Sequence, residues 1–205
     1  IMELREHLKI IKKAQWFIII FALCAAMAAF LFTYLQPEKY KVSIGFDINM
    51  VNRPIDADYQ YGSYYDLKGA EIFSQNVISW FLTPPFVAEI YQKSDIPFEI
   101  DSFSGFTNRF KAKQYSAQNV VVTYSDVYEP NAKKLADGII EVVKEKTKAA
   151  EIDVEGRNQW EAVNAEPIIV LTKNPYWLTA LLGLIAGLVV GVLLVYLKYY
   201  IKENK

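Results

Sequence analysis

Cysteine and histidine are nearly missing from this sequence, which has one of each among 205 residues. Without a second cysteine, an intramolecular disulfide is excluded, and cysteine usage does not indicate a redox compartment. Cys24 lies inside an apolar run, where we predict a small apolar helix residue without chemistry. His7 lies alone near the N-terminus, so neither a zinc site of cysteines and histidines nor a histidine-dependent triad outside this leader is predicted.

Recognition sequences for phosphates and nucleic acids are missing as well. The chain has no glycine-rich loop of the Walker A type. Its net charge is -1, and no basic patch stands out, which argues against a nucleic-acid partner. Aspartate and glutamate are plentiful, but nothing distinguishes any pair from solvated surface charge. We therefore expect a protein that is not an enzyme, with no catalytic residues, no cofactor and no metal.

Charge is absent from two long runs, one between Gln15 and Gln36 and the other between Lys173 and Lys198. Each run holds about 20 apolar residues, which is the length of helix that crosses a hydrocarbon core of ~30 Å. Buried core helices are usually shorter, and the apolar region of a cleaved signal peptide spans only about 7–15 residues. The sequence therefore predicts two transmembrane helices, at residues 16–36 and 175–197.

The flanking charges predict how these helices are oriented. Residues 37–174 contain 15 Lys and Arg against 20 Asp and Glu, whereas both short ends of the chain are basic. Lysine and arginine prefer the cytoplasmic side of a membrane. We therefore predict a cytoplasmic leader at residues 1–15, an extracytoplasmic domain at 37–174 and a cytoplasmic tail at 198–205. The basic residues at the two ends are Arg5, Lys9, Lys12, Lys13, Lys198, Lys202 and Lys205.

The extracytoplasmic segment has the patterns of an α+β domain with a small sheet and a longer outer helix. Strict alternation of apolar and polar residues predicts a first strand, and helical spacing of apolar residues predicts the helices. Ser63 and Thr83 are the predicted N-caps of the first two helices, and Asp126 or Glu129 complements the dipole of the long helix. If the first and last strands pair, the sheet lies near the membrane and joins the two spans. The predicted elements are strands at 40–48, 110–115, 120–125 and 160–166, and helices from about 64 to 81, 84 to 92 and 129 to 151.

Three glycines in the second apolar run form two overlapping GxxxG patterns: Gly183, Gly187 and Gly191. Residues four apart lie near one face of a helix, and glycine allows another helix to approach closely. We predict that this face packs on a helix. The partner is left open between the first apolar helix, a second copy of the chain and another protein.

Two further features are candidates for a role. Tyrosines before and at the start of the first outer helix could contact a glycan or a neighbouring subunit, or could pack on the domain's own core. Prolines mark the approach to the second apolar run, where each fixes its own φ and favours an extended residue before it. The tyrosines are Tyr59, Tyr61, Tyr64 and Tyr65, and the prolines are Pro167 and Pro175.

The order and spacing of these parts resemble the polysaccharide co-polymerase family, that is, the Wzz-type chain length determinant proteins. The resemblance covers nearly the whole chain, although Lys173-Asn174-Pro175 stands where many members have a Ser-Pro-Lys type sequence. The outer domain is also short, which is closer to the compact capsule or exopolysaccharide adaptors of the family. The matching parts are residues 2–13 before Trp16, residues 40–43, 77–80, 86–91, 120–125 and 129–132, Pro167, Pro175 and the glycine-rich second run.

The resemblance implies a regulator and not a catalyst. It implies ring-like homo-oligomers in the plasma (inner) membrane, acting with a membrane polymerase that extends a lipid-linked polysaccharide and setting the chain length of an O-antigen, capsule or exopolysaccharide. Some relatives carry a tyrosine kinase after the second span, and because about eight residues follow here, we expect any kinase partner to be a separate protein. The alternatives are a two-span sensor and a structural envelope protein, each with an extracytoplasmic binding domain.

Overall fold

A computed structural model describes residues 11–51, 62–97, 100–150 and 158–203. The chain divides into two compact units. One comprises residues 1–38 and 173–205, and the other runs from Lys39 to Thr172. Tyr59 and Tyr61, the predicted cytoplasmic leader up to residue 10 and the last two residues of the predicted tail lie outside the described residues.

Within its described residues, the first unit contains two long helices, α1 (Gln15–Tyr34) and α6 (Tyr176–Glu203). Both are long and apolar enough to cross a membrane, with mean hydropathies of 2.5 and 2.8 in their apolar spans. Compared with the predicted spans, 16–36 and 175–197, helix α1 ends two residues earlier and helix α6 continues six residues further. Helical structure continues because the residues after Leu197, including Lys198 and Tyr199, contain neither proline nor glycine.

The second unit contains five strands and four helices within its described residues. Their bounds are β1 (Lys39–Met50), α2 (Gly62–Trp80), α3 (Pro84–Lys93), α4 (Phe103–Arg109), β2 (Lys111–Gln114), β3 (Asn119–Asp126), α5 (Glu129–Ala150), β4 (Trp160–Asn164) and β5 (Ile168–Thr172).

The five strands form one antiparallel sheet with β1 at its centre. β3 pairs with one edge of β1, from Tyr40 opposite Asp126 to Asp47 opposite Asn119. β4 and β5 both pair with the other edge of β1. The strand order is therefore β2-β3-β1-β4, with β5 as a second partner of β1. The predicted last strand, β4, pairs with β1, and Trp160 lies opposite Met50. β5 also pairs with β1, and Thr172 lies opposite Lys39.

One face of the sheet carries the hydrophobic core. Val42, Ile44, Phe46 and Ile48 of β1 are fully buried, while the alternating residues of the strand are more exposed. Apolar residues of α2, α3 and α5 complete the same core. The period-two pattern of β1 thus corresponds to a strand with one buried face, as expected.

Two elements differ from the sequence-based expectation. No strand was predicted after residue 166, but residues 168–172 form β5, because β1 extends far enough to pair with them. The short helix α4 was not predicted, since it buries none of its residues and so has no apolar periodicity. Its local signal is Ser102, whose Oγ accepts a hydrogen bond from the Gly105 amide at 3.1 Å.

Both predicted N-caps need correction. Ser63 lies within α2, which begins at Gly62, so it is not the residue that precedes the helix. Thr83 does occupy the N-cap position of α3, but its side chain makes no capping bond. Its Oγ1 donates instead to the Trp80 carbonyl at 2.7 Å, because the preceding helix ends only three residues earlier.

A glycine inside α5 allows α3 to approach closely. A Cβ at Gly138 would collide with the Ser94 Oγ and lie 3.1 Å from the Ile90 carbonyl oxygen. Glycine in a helix interior costs about 1 kcal/mol relative to alanine. At Gly138 this cost comes with a close contact between α3 and α5, and both helices contribute to the hydrophobic core.

Candidate functional site

The three glycines of the predicted packing face lie against α1 within the helical unit. A Cβ on Gly183 would be 2.6 Å from the Ala29 Cβ, and one on Gly187 would be 2.7 Å from the Ala25 Cβ. At Gly191 the nearest atom would be the Ile18 Cγ2, at 3.5 Å. Of the partners left open by the sequence, the first apolar helix occupies this face in the structure.

Pro175 lies directly before the first residue of α6. Its carbonyl accepts hydrogen bonds from the amides of Leu178 and Thr179, at 3.1 and 3.2 Å. The preceding Asn174 donates from Nδ2 to the Gln36 carbonyl at 3.0 Å, which links the segments that follow α1 and precede α6. Pro175 thus occupies a helix start, where the missing amide costs nothing.

Pro167 has a different position, in the interruption between β4 and β5. The Ala165 amide still donates to the Gly45 carbonyl of β1 at 2.9 Å. Proline has no amide to continue the ladder, so the strand is divided at this point. The two predicted prolines are therefore not part of one cluster: one divides the sheet edge and the other begins a helix.

Of the four predicted tyrosines, the structure describes Tyr64 and Tyr65, in the first turn of α2. Their side chains are exposed by 61% and 56%, and their rings make an edge contact at 5.5 Å. The prediction that these rings pack on the domain's own core is wrong for both, because they are largely exposed. Their role as a glycan or interface contact stays a prediction.

A cavity of about 400 Å³ in the α+β domain was not anticipated from the sequence. It lies where β1 begins, α3 and α4 end, and β3 passes into α5. Its volume is in the lower part of the range of ~300–1,000 Å³ that small-molecule sites occupy. Its charged, polar and aromatic lining includes Lys39, Tyr91, Arg109, Asp126, Tyr128 and Asn131.

Arg109 organises this cavity. Its Nη2 donates to the Asp126 Oδ2 at 2.8 Å, its Nη1 to the Ser125 carbonyl at 2.7 Å and its Nε to the Tyr91 Oη at 2.6 Å. The ion pair is partly buried, with 19% of the arginine side chain and 15% of the aspartate side chain exposed. A guanidinium held by three partners at once has a fixed orientation, so the wall of the cavity is rigid here.

Aromatic rings surround the same guanidinium. Its central carbon lies 5.8, 5.6 and 5.7 Å from the ring centres of Tyr91, Phe110 and Tyr124. Burial raises the pKa of the Tyr124 phenol, while the positive charge of Arg109 acts in the opposite direction. The neutral Tyr124 hydroxyl donates to the Ala132 carbonyl at 2.5 Å, which ties β3 to α5.

This cluster could not be predicted from the sequence, because its members come from five separated elements. Asp126 was noted only as a carboxylate near the start of α5, and its Oδ1 does accept the Tyr128 amide there, at 3.1 Å. Arg109 is the only arginine in the part of the chain that the structure describes. Nothing in its local sequence indicates that Asp126 and Tyr91, each more than fifteen positions away, are its partners.

The described residues contain no group of three or more His, Cys, Asp or Glu side chains that could hold a metal ion. The arrangement at Arg109 can bind and orient a small polar molecule, since it presents charge, hydrogen-bonding groups and aromatic rings around one space. No protein-family model and no curated protein sequence matches this chain.

Proposed function

We propose that this protein is a non-catalytic regulator of surface polysaccharide chain length, which acts as an oligomeric scaffold beside a membrane polymerase. In this proposal α1 and α6 cross the plasma membrane and both chain ends are cytoplasmic. The α+β domain faces the growing polymer outside. The proposal rests on the resemblance to the polysaccharide co-polymerase family together with the architecture described above.

Exposed apolar surface supports the membrane part of the proposal. In the most apolar 18-residue stretches of α1 and α6, only 17% and 11% of the residues are buried, although the two helices pack together. The core helix of a soluble protein is mostly buried, and large exposed apolar surfaces indicate a lipid or protein environment. Trp16 and Trp177 are exposed by 71% and 73%, at helix ends where tryptophan anchors membrane helices.

The observation that carries the scaffold role is the pairing of the first and last strands of the domain. Lys39 follows α1 by only a few residues, Thr172 precedes α6 by a few, and the two lie opposite each other in the sheet. Because the two ends of the domain are paired in its sheet, the domain needs no long linker to either helix. Such a rigid domain suits a protein that presents a fixed surface to a polymer.

The decisive test is genetic. We expect deletion of the gene to change the length distribution of a surface polysaccharide without abolishing its synthesis, and a plasmid copy to restore the distribution. Gel profiles of extracted polysaccharide measure this directly. An unchanged distribution would reject the proposal and favour the sensor or the structural envelope protein.

A further inference from the structure

We infer that the cavity around Arg109 binds one unit of an anionic sugar, with the carboxylate of the sugar at Lys39 and its hydroxyls at Asp126, Asn131 and Tyr128. The choice of a sugar over other small anions rests on the proposed function. The cavity and its charge are independent of that function.

The charged side chains that line the cavity favour a ligand with a single negative charge. Arg109 is neutralised by Asp126 and makes two further hydrogen bonds, so it has little attraction left for a second anion. Lys39 is exposed and makes no ion pair with any residue in the described ranges. Two cations against one carboxylate leave one positive charge at the cavity, which a monoanion balances.

The hydrogen-bonding groups suit a ring with several hydroxyls. Each Asp126 oxygen accepts one bond, from Arg109 at 2.8 Å and from the Tyr128 amide at 3.1 Å. A carboxylate has about four acceptor positions, so Asp126 can accept further bonds from sugar hydroxyls. The half-buried Asn131 adds an amide with both donor and acceptor character.

Tyr128 supplies the apolar part of the site. The residue is 66% exposed and lines the cavity, so its ring is accessible to a ligand. A pyranose has C–H groups on its faces and hydroxyls around its rim, which matches an aromatic ring beside polar side chains. A phosphate has no such apolar face. Its second negative charge would also lie near the Asp126 carboxylate, and the Lys39 ammonium can balance only one charge.

The full-length chain in detergent micelles, titrated with methyl glucuronide, methyl glucoside and inorganic phosphate under ligand-observed NMR, tests this inference. We expect the glucuronide to bind about fivefold more tightly than the glucoside, the upper range for an exposed ion pair. Lys39→Gln should remove that preference. Lys41→Gln, two positions along the same strand and outside the cavity lining, should keep it.

Tyr128→Ala should weaken both sugars by about threefold or more, because both lose the same ring contact. The inference is overturned if no sugar binds up to roughly 10 mM, if phosphate competes as well as the glucuronide, or if Lys39→Gln keeps the preference. Absence of sugar binding together with an altered polysaccharide in the deletion strain rejects only the sugar site. Sugar binding with an unaltered polysaccharide rejects the proposed function alone.

Discussion

Asp95, two residues after the end of α3, has its backbone in the left-handed region, at a φ of 51°. The Ile96 amide donates to the Tyr91 carbonyl and the Asp95 amide to the Gln92 carbonyl, both at 3.3 Å. These two bonds form a Schellman motif, whose left-handed position is usually glycine. The exposed Asp95 side chain is therefore present at a position that favours a residue without Cβ.

We expect Asp95→Gly to raise the free energy of unfolding by about 0.5–1 kcal/mol, because relief of the left-handed strain exceeds the extra entropy of glycine in the unfolded chain. Thermal unfolding of the full chain in micelles, followed by circular dichroism, measures this change. Asp95→Ala is the control and should be less stable than the natural protein. A glycine variant no more stable than the natural protein would contradict the assignment.

Tyr124 gives a pH-dependent prediction. Burial raises its folded-state pKa above the ordinary value near 10. The folded state then keeps its proton where the unfolded chain loses it, so this contribution to stability is complete below pH ~10 and declines as pH rises above it. At pH 8, Tyr124→Phe should cost about 1 kcal/mol, from loss of the bond to the Ala132 carbonyl.

At pH 11 the same substitution should no longer destabilise, because the natural protein has lost about 1.4 kcal/mol per pH unit above 10 and the phenylalanine variant has not. Chemical unfolding of both proteins at the two pH values gives the comparison. Tyr115→Phe, at a tyrosine exposed by 68%, is the matched control for the substitution itself. A constant penalty for Tyr124→Phe from pH 8 to 11 would show that the phenol ionises normally.

At the scale of elements, the glycine face of α6 explains how two apolar helices come into close contact. A side chain larger than hydrogen at Gly187 would overlap the Ala25 Cβ and the Ala22 Cα. We expect Gly187→Leu to force the helices apart at a cost of about 1–3 kcal/mol, while the α+β domain keeps its fold. The altered packing should also shift polysaccharide length if the proposed function is correct.

Cysteines replacing Phe30 and Tyr176 report this separation, because the two rings lie 6.2 Å apart. In a Cys24→Ala background, Gly187→Leu should slow cross-linking between them several-fold. Ala186→Leu is the matched control, since Ala186 is a small residue on the exposed side of the same helix turn. Equal cross-linking rates in all three proteins would show that the glycines do not determine how closely α1 and α6 pack.

The elements that periodicity predicted are those with one clearly buried side. β1, β3 and α5 bury alternate or helically spaced residues and agree with expectation to within a few positions. β5 has no such signal, since Ile168 and Val170 are exposed by 64% and 56%. Its existence depends on the length of β1, which is a property of the assembled sheet.

The candidate site was less predictable than the fold for a related reason. The glycines recur along one helix, so their common face follows from local geometry alone. The cavity residues meet only after β1, β3 and three helix ends have been brought together by the sheet. Tyrosine clustering in sequence likewise did not indicate burial, because Tyr64 and Tyr65 both point outward from the first turn of α2.

At the scale of the whole molecule, the proposed topology can be tested by labelling. Single cysteines at Lys9, Asp101 and Lys202, in a Cys24→Ala background, should differ in reaction with a membrane-impermeant thiol reagent on intact cells. Only the cysteine at Asp101 should react, because the basic ends are expected to stay inside. Labelling at either end, with Asp101 protected, would reverse the orientation.

The central position of β1 also determines when the domain can be completed during synthesis. One edge of β1 stays unpaired until β4 and β5 have been synthesised. The pairing of Lys39 in β1 with Thr172 in β5 joins residues about 130 positions apart. At a translation rate of about 5–20 residues per second, that edge stays unpaired for roughly 7–26 s after β1 emerges. An open strand edge attracts other strands during such an interval. The nascent chain therefore passes through a vulnerable stage that ends only when the residues just before α6 have emerged.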